Sequence, residues 1–234
     1  EKFNPLIKFL LPFILEPLKW WDLKTAAKVD HFIAISKLIG ERIQRTYGRK
    51  SDIIYPPVEC GLFRESTVNH DYFLVVSRLN PYKRIDLVVE AFNQLDLTLK
   101  IIGGGSDRRR LMRMANPNIE FLGKITDKKS FYESIDILIV PSRNESFGLV
   151  ILEGFKYSTP VISSETDGAK ILIQNNENGL TFPIYDHVEL SKRMEFLIKH
   201  QDLANKLVEN GFSTVKEKYS SENVGEDINK KLQK

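Results

Sequence analysis

Residues 135–156 read IDILIVPSRNESFGLVILEGFK, and this stretch predicts a strand, a loop and a helix in succession. The apolar run that ends at Pro141 is typical of a strand buried on both faces of a parallel sheet. In the helix that follows, residues 149–152 are all apolar. Successive side chains of a helix turn by about 100°, so we expect this helix to be buried on every side.

Two carboxylates, Glu145 and Glu153, bracket the beginning of this helix. A buried carboxylate needs a partner, because an unpaired charge in a low-dielectric site is costly. The free N–H groups of a helix N-terminus favour an anion such as phosphate. Neutral hydroxyls lying between a phosphate and the carboxylates would donate to the carboxylates without adding charge. The stretch therefore predicts a site for a nucleotide diphosphate sugar.

Strands and helices alternate regularly on both sides of this stretch. The predicted strands are residues 73–76, 97–102, 119–122, 137–140 and 160–163. The predicted helices after the one at 85–92 are residues 108–115, 127–134, 188–199, 201–219 and 222–232. Repeated strand–helix units predict an α/β fold, a Rossmann-like doubly wound parallel sheet, because right-handed crossovers cover both faces with helices. Ligands of such sheets lie at the carboxyl ends of the strands.

A separate strand–helix unit precedes this repeat. Residues 31–35 predict a short buried strand, and Ser36 is a suitable N-cap for a helix that ends at Gly48. Residues 55–58, Tyr-Pro-Pro-Val, are stiff and extended, as expected of a connection between domains. We therefore divide the chain into residues 1–54, 55–219 and a final helix at 220–234.

Composition excludes several classes of protein. The 234 residues suffice for one large or two small domains, and a net charge of +3 without a long basic block argues against a nucleic-acid-binding protein. The arginines at 108–113 are interpreted as a solvated helix face. The single cysteine, Cys60, allows no internal disulfide, which favours a reducing, cytoplasmic compartment. The chain begins at Glu1 without a signal-peptide pattern, and we expect it to be a fragment.

Residues 1–28 are rich in large apolar side chains but contain Pro5, Pro12 and Pro17. The apolar run is too short and too interrupted to span a bilayer. Lysines beside two tryptophans would suit a peripheral contact with the inner face of a membrane. Packing against a neighbouring domain is the interpretation that we favour.

Two cations follow the first strand of the repeat, in the segment S77-R-L-N-P-Y-K-R84. Arg78 and Lys83 together can neutralise a diphosphate, because both would lie at a strand end. The glycine run 103–105, with Gly104 at its centre, would let the backbone approach a ligand closely. The sequence contains no Asp-x-Asp pair and no His and Cys cluster with metal spacing. We therefore expect the leaving diphosphate to be stabilised without a metal or another cofactor.

These motifs resemble the donor half of the retaining glycosyltransferases of family 4. The resemblance covers roughly residues 24–219. It is carried by the Ser77 to Asp86 segment, the Phe121-Leu-Gly123 turn, Pro141-Ser142 and the Glu-x7-Glu element. It implies the GT-B architecture, in which two Rossmann-like domains face each other across a cleft. Residues 1–54 would be the tail of an otherwise missing N-terminal acceptor domain, and 55–219 the donor-binding domain.

The resemblance also implies the roles of individual residues. Arg78 and Lys83 would bind the donor diphosphate, Glu145 the transferred sugar and Glu153 the ribose hydroxyls. Backbone amides would approach the sugar and the phosphate, and side chains after Gly123 would meet the base. By resemblance, these further residues are Phe147, Gly148 and Leu149 for the amides, and Ile125 and Asp127 for the base.

The sequence departs from the family pattern at residues 167–171, which read DGAKI where a Gly-Gly pair followed by an acid is common. The predicted function is transfer of a hexose, with retention and without a metal, from a GDP or UDP sugar to a glycan or lipid-linked acceptor in polysaccharide biosynthesis. GDP-mannose is the first candidate for the donor. Two alternatives are a nucleotide-sugar epimerase of the same architecture and a non-catalytic, nucleotide-sugar-binding subunit of a two-chain transferase.

Overall fold

A computed structural model describes residues 5–60, 63 and 72–232 of the chain. Some of the predicted segments extend into residues 1–4, 61–62, 64–71 or 233–234. Those positions lie outside the described residues. The chain divides into two compact units, residues 1–54 and 55–234. The assignment of these units to the tail of an acceptor domain and to a donor-binding domain stays a prediction.

The described part of the first unit contains two helices and a small parallel sheet. Helix α1 (Pro5–Ala26) continues through Pro12 and Pro17, and many of its large apolar side chains are exposed. Strand β1 (Ile33–Ala34) pairs in parallel with β2 (Asp52–Ile53), and helix α2 (Lys37–Tyr47) joins them. Among the described residues, no helix is long and apolar enough to cross a membrane.

Both predicted ends of α2 are confirmed. The Ser36 hydroxyl accepts a hydrogen bond from the Ile39 N–H at 3.3 Å, and Gly48 adopts the left-handed conformation, with φ of 65°, just after the helix. Capping residues of this kind stabilise the groups that a helix terminus leaves without intrahelical partners.

The second unit is built on a six-stranded sheet in the order β5-β4-β3-β6-β7-β8. Every pairing in it is parallel. Its strands are β3 (Phe73–Val76), β4 (Leu99–Ile102), β5 (Ile119–Gly123), β6 (Ile137–Val140), β7 (Val161–Ser164) and β8 (Leu180–Phe182). The predicted doubly wound parallel sheet is confirmed. The strand order reverses between β3 and β6, and a crevice for ligands opens at such a switch point.

Helices cover both faces of this sheet. The helices described in this unit are α3 (Ile85–Phe92), α4 (Arg108–Met114), α5 (Lys129–Tyr132), α6 (Leu149–Lys156), α7 (Asp167–Leu172), α8 (His187–Lys199), α9 (Gln201–Thr214) and α10 (Ser221–Leu232). Alternate residues of the strands point to opposite faces. Phe73 and Val75 of β3 accordingly belong to the apolar cluster under α3 and α8, whereas Leu74 belongs to the cluster under α6.

Several helices have boundaries that differ from the predicted ones, because local capping and packing determine where they begin and end. The helix predicted at 127–134 is only α5, because the Asp127 carboxylate accepts from the Lys129 N–H at 3.0 Å just before it. The helix predicted to run to Tyr219 changes at Val215 into a π-helical turn. Residues 167–171, predicted as a loop, form α7, and the Thr166 hydroxyl accepts from the Ala169 N–H at its start.

Candidate functional site

Two adjoining cavities lie at the carboxyl ends of β3 and β6. The first cavity, of about 410 Å³, is lined by the ends of both strands, the turn after β3 and the start of α6. The second cavity, of about 380 Å³, extends from the end of β3 past the glycine run and the segment after β5. Arg78 lines both cavities, together with Val76, Ser77 and Val150. The fold therefore offers one continuous crevice at the switch point of the sheet.

The segment that carries Arg78 is held by the backbone of β4 and its glycine run. The Ser77 N–H donates to the Ile102 carbonyl, and the Leu79 N–H donates to the Gly104 carbonyl, each at 3.0 Å. A Cβ on Gly103 would lie 1.8 Å from the Ser77 carbonyl oxygen, and one on Gly105 would lie 2.2 Å from that of Leu79. Two of the glycines thus allow close contact with protein backbone, while Gly104 lines the second cavity.

Lys83 and Glu145 meet in the first cavity. Lys83 lies in a single 3-10 turn, Pro81–Lys83, and its Nζ is 2.6 Å from Glu145 Oε2. The same carboxylate oxygen accepts a hydrogen bond from the Ser142 hydroxyl at 3.1 Å. The side chains of Lys83 and Glu145 are 16% and 21% exposed. The predicted pair of cations and the first predicted carboxylate therefore share one partly buried cavity.

Gly168 supports the backbone at Glu145. Its N–H donates to the Glu145 carbonyl at 2.9 Å, and a Cβ there would lie 2.4 Å from that oxygen and 2.8 Å from the Phe147 nitrogen. Only glycine fits this approach, because real Cβ atoms do not tolerate such distances to backbone. The structure thus gives the 167–171 segment a physical function, which is to fix the loop that carries Glu145.

The first turn of α6 faces the cavities. Gly148 precedes the helix with φ of 100°, in the region that favours glycine. Leu149 lines the first cavity and is 48% exposed, and Val150 lines both cavities. The expectation that this helix is buried on every side is wrong for these residues, because its first turn opens onto the crevice. The buried part begins at Ile151 and Leu152.

Glu153, one turn into α6, is held by two side chains from the neighbourhood of α5. The Tyr132 hydroxyl donates to Glu153 Oε2 at 2.6 Å, and Lys128 Nζ lies 3.0 Å and 3.2 Å from the two carboxylate oxygens. Burial raises the pKa of Tyr132 above its ordinary value of 10.0, and the nearby charge of Glu153 raises it further. Tyr132 is therefore a neutral donor. Lys128 lines the second cavity, whereas Glu153 and Tyr132 lie behind it and line neither of these two cavities.

The remaining predicted residues differ in their positions. Ile125 lines the second cavity. Asp127 is exposed and accepts from the Lys129 N–H, as described above. Phe147 is buried, and its ring stacks on Tyr55 with 5.7 Å between centroids. The structure thus brings Arg78, Lys83, Glu145, Leu149, Gly104 and Ile125 to the cavity walls.

A sequence profile described as glycosyl transferases group 1 matches residues 63–214. The chain belongs to this family.

Relatives agree with this assignment, and a solved structure shares the fold. An uncharacterized glycosyltransferase of Methanocaldococcus jannaschii is 30% identical over 189 residues, which cover 78% of this chain and 53% of the relative. The O-antigen chain mannosyltransferase C of Escherichia coli is 26% identical and covers 74% and 49%. The crystal structure of Anabaena HepE with UDP-glucose superimposes with a TM-score of 0.80, at 19% identity, over 90% of this chain and 67% of HepE. This chain spans about half the length of the curated relatives that it matches.

Sequence reasoning assigned no individual role to four side chains in or beside these cavities. Ser142 bonds to Glu145, Lys128 and Tyr132 bond to Glu153, and Lys124 lines the second cavity. Lys124 and Lys128 follow Gly123 closely, at the end of a strand. Their position alone could have indicated that they lie near a ligand, because ligands of such sheets lie at strand ends. Tyr132 lies on a helix, and the sequence alone carried no signal for its bond to Glu153.

The described residues include no cluster of three or more His, Cys, Asp or Glu side chains that could hold a metal ion. Metal independence stays a prediction.

Proposed function

We propose that this group 1 glycosyltransferase domain binds a nucleotide diphosphate sugar across the two cavities. The observation that carries the proposal is the meeting of Arg78, Lys83 and Glu145 in one partly buried cavity at the switch point. The diphosphate would lie near Arg78, which lines both cavities, with the sugar in the first cavity and the nucleoside in the second. The whole protein would transfer the sugar to a glycan or lipid-linked acceptor.

The charges of the first cavity support this orientation. Arg78 and Lys83 supply two positive charges against the single carboxylate of Glu145, so a diphosphate would be attracted there. The N-terminus of α6, preceded by Gly148, adds N–H groups and the positive end of the helix dipole. As the bond to the sugar breaks, the same groups would stabilise the charge that develops on the leaving diphosphate. No metal is required in this proposal.

Glu145 would orient the transferred sugar. Its carboxylate already accepts from Lys83 and Ser142, and sugar hydroxyls can donate to its remaining lone pairs. A negative charge next to the anomeric carbon would also stabilise the positive charge that develops there. We propose that transfer proceeds with retention.

Glu153 would accept hydrogen bonds from the ribose hydroxyls. Glu153 does not line the second cavity itself, but its partner Lys128 does, and both side chains are partly exposed, at 28% and 27%. The base would then lie near Ile125 and Lys124, which line the same cavity. GDP-mannose is the first candidate for the donor, in keeping with the mannosyltransferase relative. Because HepE was crystallised with UDP-glucose, a UDP sugar is the second donor to compare with GDP-mannose.

The proposal is tested by calorimetric titration of UDP, GDP and ADP into the wild type and Glu153→Ala. We expect one nucleotide to bind more tightly than the others, and Glu153→Ala to weaken it by about 1 to 3 kcal/mol, as for a hydrogen bond to a charged group. Glu195→Ala is the matched control, because Glu195 is 53% exposed on α8. An affinity that Glu153→Ala leaves unchanged would contradict the role of Glu153.

A further inference from the structure

The contacts of Glu153 are unequal on its two sides. On the core side, Tyr132 is 2% exposed and donates its single hydroxyl proton to Oε2 at 2.6 Å. On the cavity side, Lys128 bonds to both oxygens at 3.0 Å and 3.2 Å, and its side chain is 27% exposed. A long, partly exposed lysine can leave the carboxylate at little cost, whereas a buried tyrosine cannot.

Tyr132 is itself fixed in place. Its ring stacks on Tyr157, with 5.1 Å between centroids and 17° between planes. Its backbone carbonyl accepts a hydrogen bond from the Thr159 hydroxyl at 3.2 Å. The ring also lies within the apolar cluster under α6. The hydroxyl is therefore presented to Glu153 by a rigid support.

We propose that Tyr132 is a positioning residue for ribose recognition, which holds the Glu153 carboxylate from the core side while its cavity side exchanges Lys128 for the ribose hydroxyls. This inference rests on the proposed role of Glu153. Oε2 accepts hydrogen bonds from both Tyr132 and Lys128, whereas Oε1 bonds only to Lys128 among the contacts described for Glu153. Oε1 therefore has more capacity to accept from a hydroxyl. Because the Glu153 side chain is already held in place, less side-chain entropy is lost when the ligand binds.

The test compares ribose with deoxyribose in the same protein. UDP or GDP, whichever binds more tightly, and its 2′,3′-dideoxy analogue are titrated into the wild type, Tyr132→Phe, Tyr157→Phe and Glu153→Ala. The readout is the ratio of the two dissociation constants, because a general loss of packing would weaken both nucleotides alike and leave their ratio unchanged. Tyr157→Phe is the matched control, since it removes a hydroxyl from the partner ring of the same stack.

We expect the wild type to favour the ribonucleotide by about 5- to 150-fold. Glu153→Ala should abolish this preference, Tyr132→Phe should lower it by about 3- to 10-fold, and Tyr157→Phe should leave it unchanged. A wild-type ratio in Tyr132→Phe, together with a lost ratio in Glu153→Ala, would overturn this inference but not the proposed function. A wild-type ratio in Glu153→Ala would overturn both this inference and the proposed role of Glu153 in ribose binding.

A second measurement does not require removal of the hydroxyl. The chain is prepared with 3-fluorotyrosine at position 132, and its ¹⁹F resonance is followed during titration. Because Tyr132 shares the carboxylate with the ligand, we expect the ribonucleotide to shift this resonance more than the dideoxy analogue does. Equal shifts would contradict the inference even if Tyr132→Phe failed to fold.

Discussion

The ion pair between Lys83 and Glu145 joins the two segments on which the site depends, the turn after β3 and the loop after β6. Both side chains are mostly buried, and Ser142 adds a third group to the pair. A diphosphate would offer Lys83 a second anion, since an ammonium has three donors. A donor bound at Lys83 would therefore be coupled to the position of the Glu145 carboxylate.

Replacing Lys83 with Met should weaken the binding of UDP or GDP by about 1.5 to 3 kcal/mol, because a charge-assisted hydrogen bond to phosphate is lost. Calorimetric titration measures the change. Lys192→Met is the control, because the Lys192 side chain is 70% exposed on α8. Equal affinities of the Lys83→Met chain and the wild type would show that Lys83 does not bind the diphosphate.

Gly168 provides a prediction on the loop that carries Glu145. We expect Gly168→Ala to lower the free energy of unfolding by about 1 to 3 kcal/mol, because the added methyl group would meet the backbone of Glu145 and Phe147. The Gly225→Ala control, where the Cβ meets nothing within 4 Å, should instead stabilise α10 by about 0.5 to 1 kcal/mol. Urea unfolding measures both changes. Equal effects of the two substitutions would contradict the close approach at Gly168.

For single residues, the sequence predicted those whose charge and position in a motif indicate a ligand site. Arg78, Lys83 and Glu145 were predicted together, and the structure brings them to one cavity. Tyr132 could not be predicted as the partner of Glu153, because the two residues are 21 positions apart and meet only after α5 and α6 pack. The prediction that Glu153 needs a partner is confirmed, although the partners within the chain are Tyr132 and Lys128.

Among the elements, α4 is anchored to the turn that carries Arg78. The Asp107 N–H donates to the Leu79 carbonyl at 2.9 Å, and the Asp107 carboxylate accepts two hydrogen bonds from Arg110 at 2.7 Å. Hydrogen bonding from Arg110 holds the pKa of Asp107 below its ordinary value of 3.8, against the opposing effect of burial. The ionised carboxylate therefore stabilises the folded state.

This depressed pKa gives a prediction on pH dependence. A carboxyl whose pKa is lower in the folded state contributes stability above its unfolded pKa and loses it as the pH falls through the folded pKa. We therefore expect Arg110→Met to be less stable than the wild type at about pH 6, and the difference to shrink below about pH 4. Urea unfolding at each pH, with Arg113→Met as control, measures this. A difference that is constant down to about pH 2.5 would contradict the assigned pair.

The elements predicted most accurately are those with the strongest apolar pattern. The strand predicted at 137–140 is β6, and that at 73–76 is β3, because a strand buried on both faces reads as an apolar run. The short helices α5 and α7 were misjudged, since side-chain caps at Asp127 and Thr166 decide where they begin. Strand β8 was not predicted, because its three residues are too few to show the apolar run that is typical of a buried strand.

For the whole molecule, the decisive feature is the strand order. Growth of the sheet outward from β3 and β6 in opposite directions creates the crevice, and both cavities lie there. The alternation of strands and helices predicted the fold class, but not the order of the strands, because order depends on long-range pairing. The position of the crevice followed from the general rule once the order was known.

The 234-residue chain should bind a nucleoside diphosphate without transferring sugar. The chain spans about half the length of the curated relatives that it matches, and the resemblance assigns the acceptor site to an N-terminal domain, of which residues 1–54 would be the tail. Release of UDP or GDP from UDP-glucose and GDP-mannose, with and without a membrane lipid extract, measures turnover beside the calorimetric affinity. Transfer at a rate typical of enzymes, of about 1 per second or more, would show that the domain assignment is wrong.

The most direct test of the central claim is the position of the diphosphate in a crystal structure of the chain with UDP-glucose or GDP-mannose. We predict that its oxygens lie within about 3 Å of the Arg78 guanidinium and Lys83 Nζ, as in charge-assisted hydrogen bonds. The sugar should then face Glu145, and the ribose should face Glu153. A nucleotide sugar bound away from the carboxyl ends of β3 and β6 would contradict the account.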